Sequence, residues 1–363
     1  MKLLFYISTI EGGGAARVMT NLANHFSEDL GFDAKVYLLT NYKSEVEYEL
    51  STKVKRFSID ESPNKDNVLR KNIRRCKYLR KLIKKIEPDM VISFMQENDI
   101  RNYISSIGIK RVQTVMSVRN DPKILFDNKL KKLIFKFIYN RADGVVFQTE
   151  EAMRWFGNGF RPLSKVIINQ TAEKFYETER DAKPQGIVTL GSYLPKKNHK
   201  LLIQAYSKIA DSIKDDLYIY GTGNLENEYI KLIDALDVRN RVHLCEVSNQ
   251  PEKILAKARV FVLSSDHEGM PNALLEALAV GIPCISTDCP CGGPSAVIRT
   301  MENGILVPVN DVDSLAEAMR IVLSDDDLQI RLGTTARKRA LSFKPDVIYN
   351  EWKNFFLELG GMV

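Results

Sequence analysis

Short apolar runs of strand length alternate with longer segments of helical periodicity along the whole chain, and this alternation starts twice. The first series opens with Leu3–Ser8, and the second opens with Ile187–Leu190 after a charged interruption. Such a pattern is typical of parallel sheets with helices on both faces. Because 363 residues exceed one ordinary core, we predict two domains. The predicted fold is α/β, with two facing doubly wound domains and a ligand cleft between the carboxyl ends of their sheets.

The domain boundaries follow from the same pattern. We expect an N-terminal domain over residues 1–170 and a linker over 171–185, where charged residues are concentrated. A second domain is expected over 186–344. The last segment, 345–363, is predicted to be a helix that packs back toward the N-terminal domain.

Composition excludes several classes of protein. Hydrophobic residues make up 44% of the chain and charged residues 27%, a balance that excludes a wholly disordered protein. No apolar run approaches the roughly 18 residues of a membrane helix, and Leu3–Ile7 is too short for a signal peptide. The five cysteines are scattered, which predicts a reducing cytoplasm rather than a disulfide framework.

Positive charge is concentrated in the front half. Residues 1–180 hold 32 Lys and Arg against 22 Asp and Glu, whereas the remainder is acidic. Two basic segments, Lys65–Lys85 and Lys129–Arg141, carry the excess. If Lys129–Arg141 is helical, one stripe of it is apolar and is flanked by lysines; the stripe consists of Leu130, Leu133, Ile134 and Phe137. The stripe fits an anionic membrane surface or, equally well, an ordinary core-facing helix.

Nucleic acid is the other polyanion that a basic domain suggests. The basic segments lack the interleaved aromatic residues of single-strand binders, and they match no zinc-finger, RNA-recognition or basic-zipper pattern. We therefore expect a membrane surface and no nucleic acid as the polyanionic partner.

The segment with the clearest chemical pattern follows the apolar run Arg259–Ser265. Glu268 is followed by Gly269, which allows a tight turn, and by Pro271, which suits the first position of a helix. Free backbone amides at such a helix start can bind a phosphate or a sugar oxygen. Glu276 lies in an otherwise apolar helix, so its carboxylate needs hydrogen-bond donors from a ligand or from an arginine of the protein.

Two further loops follow the first strand of each series. Gly12, Gly13 and Gly14 permit close approach of a ligand to the backbone, although a tight strand-to-helix turn explains them equally well. After Ile187–Leu190, the loop Gly191–Asn198 carries a pair of lysines. Without further context, a lysine pair in a loop is typical of solvated surface.

These segments together resemble one known family. Glu268 and Glu276 flank Gly269 and Pro271, and Gly281-Ile282-Pro283 and Asn303–Val307 follow downstream. This order resembles the family 4 retaining glycosyltransferases, which have two facing Rossmann-like domains (the GT-B architecture) and assemble bacterial surface polysaccharides and capsules. The resemblance covers nearly the whole chain.

The resemblance implies a role for each matching position. The residues implied to be catalytic are Glu268, Lys197 and Arg119. Glu268 would contact the donor sugar, Lys197 would neutralise the leaving diphosphate, and Glu276 would bind the ribose hydroxyls. The remaining positions implied to bind the donor are Gly13, Gly14, Ser192, Lys196, Val247, Gly269, Met270, Pro271, Asn272 and Ala273.

Three positions depart from the family pattern. Ser192 stands where the family has an arginine, and Lys196 offers only a point charge in compensation. Arg119 stands where many relatives have a histidine, and an arginine is not a base at neutral pH. Cys245 begins the stretch Cys245-Glu246-Val247, which replaces the family's Gly-Arg-Val beside the nucleobase.

The sequence predicts neither a metal nor another cofactor. Cys289 and Cys291 form a single thiol pair without a second pair at ligand spacing, and the four histidines are dispersed. No residue is an evident covalent nucleophile, which fits same-face displacement assisted by the leaving phosphate.

The resemblance therefore implies a peripheral enzyme at the inner face of the cell membrane. It would transfer a hexose or an N-acetylhexosamine from a nucleotide sugar, expected to be UDP-linked, to a polyprenyl-diphosphate-linked saccharide. Two alternatives remain: a nucleotide-sugar epimerase of the same architecture, and a polyanion-binding protein whose sugar site is vestigial.

Overall fold

The computed structural model describes residues 1–60 and 67–361. Lys65 and Asp66, at the start of the first basic segment, lie outside the described residues. The chain divides into two compact units. The first unit is Met1–Ile168 with Ile348–Val363, and the second unit is Asn169–Val347. Residues 171–185, predicted as a linker, belong to the second unit.

Strands and helices alternate through both units. In chain order they are β1 (Lys2–Ile7), α1 (Gly14–Glu28), β2 (Lys35–Tyr42), β3 (Lys55–Asp60), α2 (Val68–Ile86), β4 (Met90–Phe94), α3 (Gln96–Ser106), β5 (Gln113–Val118), α4 (Pro122–Leu125), α5 (Lys129–Tyr139), β6 (Gly144–Phe147), α6 (Glu150–Phe156), β7 (Leu163–Val166), α7 (Glu173–Glu177), β8 (Ile187–Leu190), α8 (His199–Ser207), β9 (Leu217–Tyr220), α9 (Glu226–Ala235), β10 (Val242–Cys245), α10 (Pro251–Lys257), β11 (Val260–Leu263), α11 (Asn272–Val280), β12 (Cys284–Thr287), α12 (Gly293–Val297), β13 (Ile305–Val307), α13 (Val312–Ser324), α14 (Asp326–Ala340) and α15 (Pro345–Gly360).

The first unit contains a seven-stranded sheet in the order β3-β2-β1-β4-β5-β6-β7. Its strand pairs are parallel. Its central strands are apolar because helices cover both faces, and β1 and β4 are buried along almost their whole length. The chain order reverses between β1 and β4, so the crevice at their carboxyl ends is where a ligand is expected in this kind of sheet.

The C-terminal helix completes the core of the first unit. Trp352, Phe355 and Phe356 of α15 are buried in the same apolar cluster as Phe26 of α1. The contact with the sheet is close, because a methyl group placed on Gly144 of β6 would lie 2.8 Å from the ring of Phe355. From Ile348 onward, α15 therefore belongs to the first unit.

The second unit contains a six-stranded sheet in the order β10-β9-β8-β11-β12-β13, again with parallel pairs. Its chain order reverses between β8 and β11. The prediction of an α/β fold with two doubly wound domains is thus confirmed, and the reversal identifies the β8–β11 edge as the place to look for a ligand site.

Helix α5 has an unusual surface. It buries Phe135, Ile138 and Tyr139, whereas its apolar stripe is on the outside of the first unit. The side chains of the stripe are exposed to 67% at Leu130, 69% at Leu133, 45% at Ile134 and 51% at Phe137. Of the two interpretations of this segment, the one in which the stripe faces the protein core is wrong. Among the described residues, no helix combines the length and the apolar composition needed to cross a bilayer.

Candidate active site

The loops that follow β8 and β11 meet where the chain order of the second sheet reverses. The loop after β8 begins at Gly191 and ends at Asn198, which caps α8. The loop after β11 begins at Ser264 and leads into α11. Since β8 and β11 are paired neighbours, their loops leave the sheet side by side. The predicted residues Lys197 and Glu268 lie on these two loops.

Lys197 and Glu268 form an ion pair at this edge of the sheet. The ammonium of Lys197 donates to Glu268 Oε1, and the hydroxyl of Ser265 donates to the same oxygen at 2.9 Å. Glu268 is buried. Burial by itself raises the pKa of the Glu268 carboxyl, but the charges of Lys197 and Lys196 and the hydrogen bonds from Lys197 and Ser265 outweigh burial and lower this pKa. Glu268 is therefore an ionised acceptor at neutral pH.

The two loops are also joined away from this ion pair. The backbone N–H of Asp266 donates to the carbonyl of Lys196 at 2.8 Å, and the amide of Asn198 donates to Asp266 Oδ1 at 2.6 Å. Ser264 donates to the carbonyl of Lys197 at 3.0 Å. Asn198 adopts a left-handed conformation, φ 44°, so it ends the loop and caps α8 in one residue. These contacts fix the backbone that carries Lys197.

The start of α11 provides the backbone amides expected from the sequence. Pro271 is the residue before the first helical turn, one position earlier than predicted. Gly269 packs tightly, because a methyl group on Gly293 would lie 2.0 Å from the Gly269 carbonyl oxygen. Asn272 and Glu276 are four residues apart, so they share one face of the helix, and Glu276 is buried.

Met270 and Asn272 are held by a residue that sequence analysis did not identify. Asn169 donates from its side-chain amide to Asn272 Oδ1 at 2.6 Å and to the Met270 carbonyl at 3.4 Å. An asparagine directly after the apolar run Val166–Ile168 is the feature that could have suggested it, because polar groups at the carboxyl ends of strands border ligand sites in this fold.

Two of the three departures from the family pattern, Ser192 and Cys245, lie in the second unit. Ser192 is exposed on the loop after β8. Val247 is 67% exposed and follows the edge strand β10, which is separated from β8 by β9. Cys245 is half-buried, and its carbonyl accepts from the Gly221 N–H at 3.0 Å, which joins the carboxyl ends of β9 and β10. Burial raises the pKa of the Cys245 thiol, so it remains protonated at neutral pH.

The remaining predicted residues belong to the first unit. Gly13, φ 80°, precedes α1, which starts at Gly14, and a methyl group on Gly13 would meet nothing within 4 Å. Its backbone is therefore open to a ligand. Arg119 follows β5, and its guanidinium lies 4.4 Å from the ring centre of Phe94. Burial lowers the pKa of Arg119 to about 9, which leaves a cation at neutral pH.

Within residues 1–60 and 67–361, no three His, Cys, Asp or Glu side chains are grouped as a metal site requires. Cys289 and Cys291 are buried thiols. Burial raises the pKa of Cys289 to about 12, which disfavours the thiolate form that metals bind. Metal independence stays a prediction.

Known proteins resemble this chain in sequence and in fold. Residues 170–339, which contain Lys197, Glu268 and Glu276, match the family described as Glycosyl transferases group 1. One curated relative is the N-acetylgalactosamine-N,N'-diacetylbacillosaminyl-diphospho-undecaprenol 4-alpha-N-acetylgalactosaminyltransferase of Campylobacter jejuni. It is 25% identical over 358 residues, 94% of this chain and 95% of the relative.

Solved structures share the fold of the whole chain. Sucrose-phosphate synthase from Thermosynechococcus elongatus is 15% identical, with a TM-score of 0.86 and complete coverage of both chains. Anabaena HepE in complex with UDP and glucose is 17% identical, with a TM-score of 0.79 over 99% of this chain and 100% of HepE. The family match over the second unit, the relative that covers nearly the whole chain and the shared fold together identify the protein as a glycosyltransferase whose second unit resembles the glycosyl transferases group 1 family.

Proposed function

We propose that this glycosyltransferase moves a hexose or an N-acetylhexosamine from a UDP-sugar to a saccharide carried on a polyprenyl diphosphate, with retention of anomeric configuration and without a metal ion. The name of the Campylobacter relative, which includes a diphospho-undecaprenol acceptor and an N-acetylgalactosaminyl group, supports the acceptor and the sugar class. The UDP and glucose bound to HepE support the donor class.

The observation that carries the proposal is the ion pair between Lys197 and Glu268. An ionised carboxylate can accept hydrogen bonds from sugar hydroxyls, and a lysine beside it can neutralise a leaving diphosphate. Because the lowered pKa keeps Glu268 ionised, it is unsuited to act as a general acid at neutral pH. Its proposed role is therefore to orient the sugar rather than to transfer a proton.

The same groups support the proposal of retention without a metal ion. The charge on Glu268 is shared with Lys197 and Ser265, which makes this carboxylate a weak nucleophile. In the proposed step, the acceptor hydroxyl attacks the anomeric carbon on the face that the diphosphate leaves, and the diphosphate takes up the hydroxyl proton. Lys197, Lys196 and the backbone amides at the start of α11 would supply the stabilisation that a metal gives elsewhere.

The stripe of α5 supports action at the inner face of the cell membrane. Four large apolar side chains that are 45–69% exposed cost free energy in water. Full burial of an exposed side chain of this size contributes about 1.5–3 kcal/mol, so burial in a bilayer would contribute about half of that for each. Lys129, Lys131 and Lys132 on the same helix are exposed, and a lysine close to an anionic leaflet contributes about 1 kcal/mol. We propose that this surface binds anionic lipid and brings the enzyme to its lipid-linked acceptor.

Calorimetric titration of UDP, GDP and ADP into the wild type and Glu276→Ala tests the donor site. We expect selective UDP binding that is at least tenfold weaker in Glu276→Ala, about 1.4 kcal/mol, because the ribose hydroxyls lose an acceptor. Glu317→Ala is the matched control, since Glu317 pairs with Arg320 on the exposed face of α13. Its UDP affinity should equal that of the wild type.

Two results would contradict the proposal. One is the absence of UDP binding to the folded wild type. The other is conversion of UDP-N-acetylglucosamine to an epimer without any acceptor, because transfer requires the acceptor and leaves the configuration of free donor unchanged.

A further inference from the structure

A buried histidine lies behind the loop that carries Lys197. His199 is the first residue of α8, its side chain is 2% exposed, and its Nε2 lies 3.3 Å from the carbonyl oxygen of Gly191. A carbonyl only accepts hydrogen bonds, so Nε2 carries the proton and donates it. The ring thus holds the first residue of the loop from inside the second unit.

Gly191 is fixed from two other directions. Its N–H donates to the Tyr220 carbonyl at 2.9 Å. A methyl group on Gly221 would lie 2.0 Å from the Gly191 carbonyl oxygen, so the backbone after β9 touches this carbonyl directly. The carbonyl of Gly191 is therefore confined between Gly221 on one side and the imidazole of His199 on the other.

The side chain of Lys197 lies beside the same glycine. A methyl group on Gly191 would lie 3.6 Å from Cδ and Cε of Lys197 and 3.7 Å from Cε1 of His199. The imidazole and the lysine side chain therefore flank Gly191 together. Since the ammonium of Lys197 donates to Glu268, the groups His199, Gly191, Lys197 and Glu268 are neighbours in this order.

The imidazole itself has little freedom to move. The rings of Tyr193 and Tyr229 each pack against it with their centres 5.8 Å away, at interplanar angles of 86° and 77°. Tyr193 is anchored by its hydroxyl, which donates to the Ile219 carbonyl at 3.0 Å. Burial lowers the pKa of His199 to about 4, so the ring is neutral at physiological pH.

We infer that His199 is a positioning residue, which holds Gly191 in place so that Lys197 is set against Glu268 for the donor diphosphate. This inference rests on the proposed function, because it assumes that Lys197 meets the diphosphate. It assigns a role to a side chain that touches neither substrate and that sequence analysis treated only as one of four dispersed histidines.

Three variants test the inference. His199→Phe keeps a ring between the two tyrosines and removes the N–H donor. His199→Gln restores an amide N–H that can reach the position of Nε2. Tyr229→Phe is the packing control, because it alters the same aromatic group by removing a buried hydroxyl that has no hydrogen-bond partner among the described residues.

Each variant is tested in two ways. Substrate binding is measured as the Kd for UDP and as the KM for the UDP-sugar donor and for the acceptor. The mobility of the loop is measured as hydrogen exchange of the backbone over residues 190–198. We expect His199→Phe to weaken UDP binding at least fivefold, to raise the donor KM with the acceptor KM unchanged, and to speed exchange in this segment. His199→Gln should recover to within twofold of the wild type, and Tyr229→Phe should match the wild type.

Two outcomes would overturn the role of His199. One is a folded His199→Phe with wild-type UDP affinity and wild-type exchange. The other is an equal loss of affinity in His199→Phe and Tyr229→Phe, which indicates packing alone. If the wild type binds no UDP, the proposed function fails, and hydrogen exchange still decides whether His199 holds the loop.

Discussion

Two buried carboxyl groups, Glu268 and Asp99, are shifted in opposite directions by their neighbours. Glu268 has the ammonium of Lys197 beside it, and its pKa is lowered. Asp99 accepts hydrogen bonds from the hydroxyls of Ser93, at 2.7 Å, and Tyr139. These bonds are weaker than the effect of burial, which raises the pKa of Asp99 to about 8. A neighbouring cation, rather than burial, decides which carboxyl is ionised.

The raised pKa of Asp99 predicts a pH dependence of the stability of the first unit. Unfolded Asp99 titrates near its ordinary pKa of 3.8, whereas folded Asp99 titrates at about 8. Between these values the folded state holds a proton that the unfolded state has lost. The contribution of Asp99 to the free energy of unfolding should therefore be largest below pH 4. It should fall as the pH rises toward 8, by at most about 1.4 kcal/mol per pH unit.

Urea unfolding of the wild type and Asp99→Asn at pH 5, 6, 7 and 8 measures this contribution. Both tryptophans of the chain, Trp155 and Trp352, lie in the first unit, so tryptophan fluorescence follows this unit alone. The pH slope should be flatter in Asp99→Asn. Asp127→Asn, which removes an exposed carboxylate paired with Lys131, should retain the wild-type slope. Equal slopes in wild type and Asp99→Asn would disprove the assignment.

Sequence reasoning reached some residues of the site and missed others for a physical reason. Glu268 and Glu276 could be predicted because turn chemistry and an isolated charge in an apolar helix are local features. The partner of Asp266 is not local, since Asn198 and Asp266 are 68 residues apart in the chain. Their meeting depends on the pairing of β8 with β11, which periodicity does not determine.

Among the elements, α11 and α14 approach each other through two glycines. Gly281 ends α11 in a left-handed conformation, φ 83°, that favours glycine. Gly333 lies in the middle of α14, and a methyl group there would lie 2.3 Å from the Gly281 carbonyl oxygen. Because this oxygen belongs to the backbone, it cannot move aside as a flexible side chain would.

Gly333→Ala should therefore destabilise the second unit, although alanine favours a helix by about 1 kcal/mol over glycine. We expect a net loss of about 1–3 kcal/mol in the free energy of unfolding, since the two helices must separate. Gly360→Ala is the control, because a methyl group near the end of α15 would lie 3.5 Å from Met1 Cε, an ordinary contact. Calorimetry of both variants measures the effect, and a Gly333→Ala variant as stable as the wild type would refute the close contact.

Helix α5 shows what periodicity determines and what it leaves open. The spacing of Leu130, Leu133, Ile134 and Phe137 predicted a helix with one apolar stripe, and both are present. The same helix has a second apolar group on another face, formed by Phe135, Ile138 and Tyr139, and this group packs into the core. A helix with two apolar faces does not reveal from its sequence which face the rest of the protein covers.

At the scale of the whole molecule, the chain leaves the first unit after Ile168 and returns to it at Ile348. Met1 and Gly360 are consequently close, since a methyl group on Gly360 would lie 3.5 Å from Met1 Cε. The core of the first unit is completed by α15, whereas the second unit is built from one continuous segment. Positive charge and the exposed stripe of α5 both belong to the first unit, and the Lys197–Glu268 site belongs to the second.

This distribution predicts that membrane binding and donor binding are separable. Recovery of the protein with floated liposomes should be higher with anionic than with neutral lipid, and should fall as salt screens the lysines. The double variant Leu133→Glu with Phe137→Glu should lose at least nine-tenths of this recovery, because charged side chains do not enter the acyl region. Its UDP affinity should equal that of the wild type.

The control for this variant is Ile330→Glu, which places a single glutamate on an exposed isoleucine, 65% exposed, of α14 in the second unit. If exposed apolar area in general drove the binding, Ile330→Glu and the double variant would lose recovery alike. If α5 is the binding surface, only the double variant does. Equal recovery with anionic and neutral lipid, or none with either, would remove the membrane from the proposed function and would leave donor binding at the β8–β11 edge unaffected.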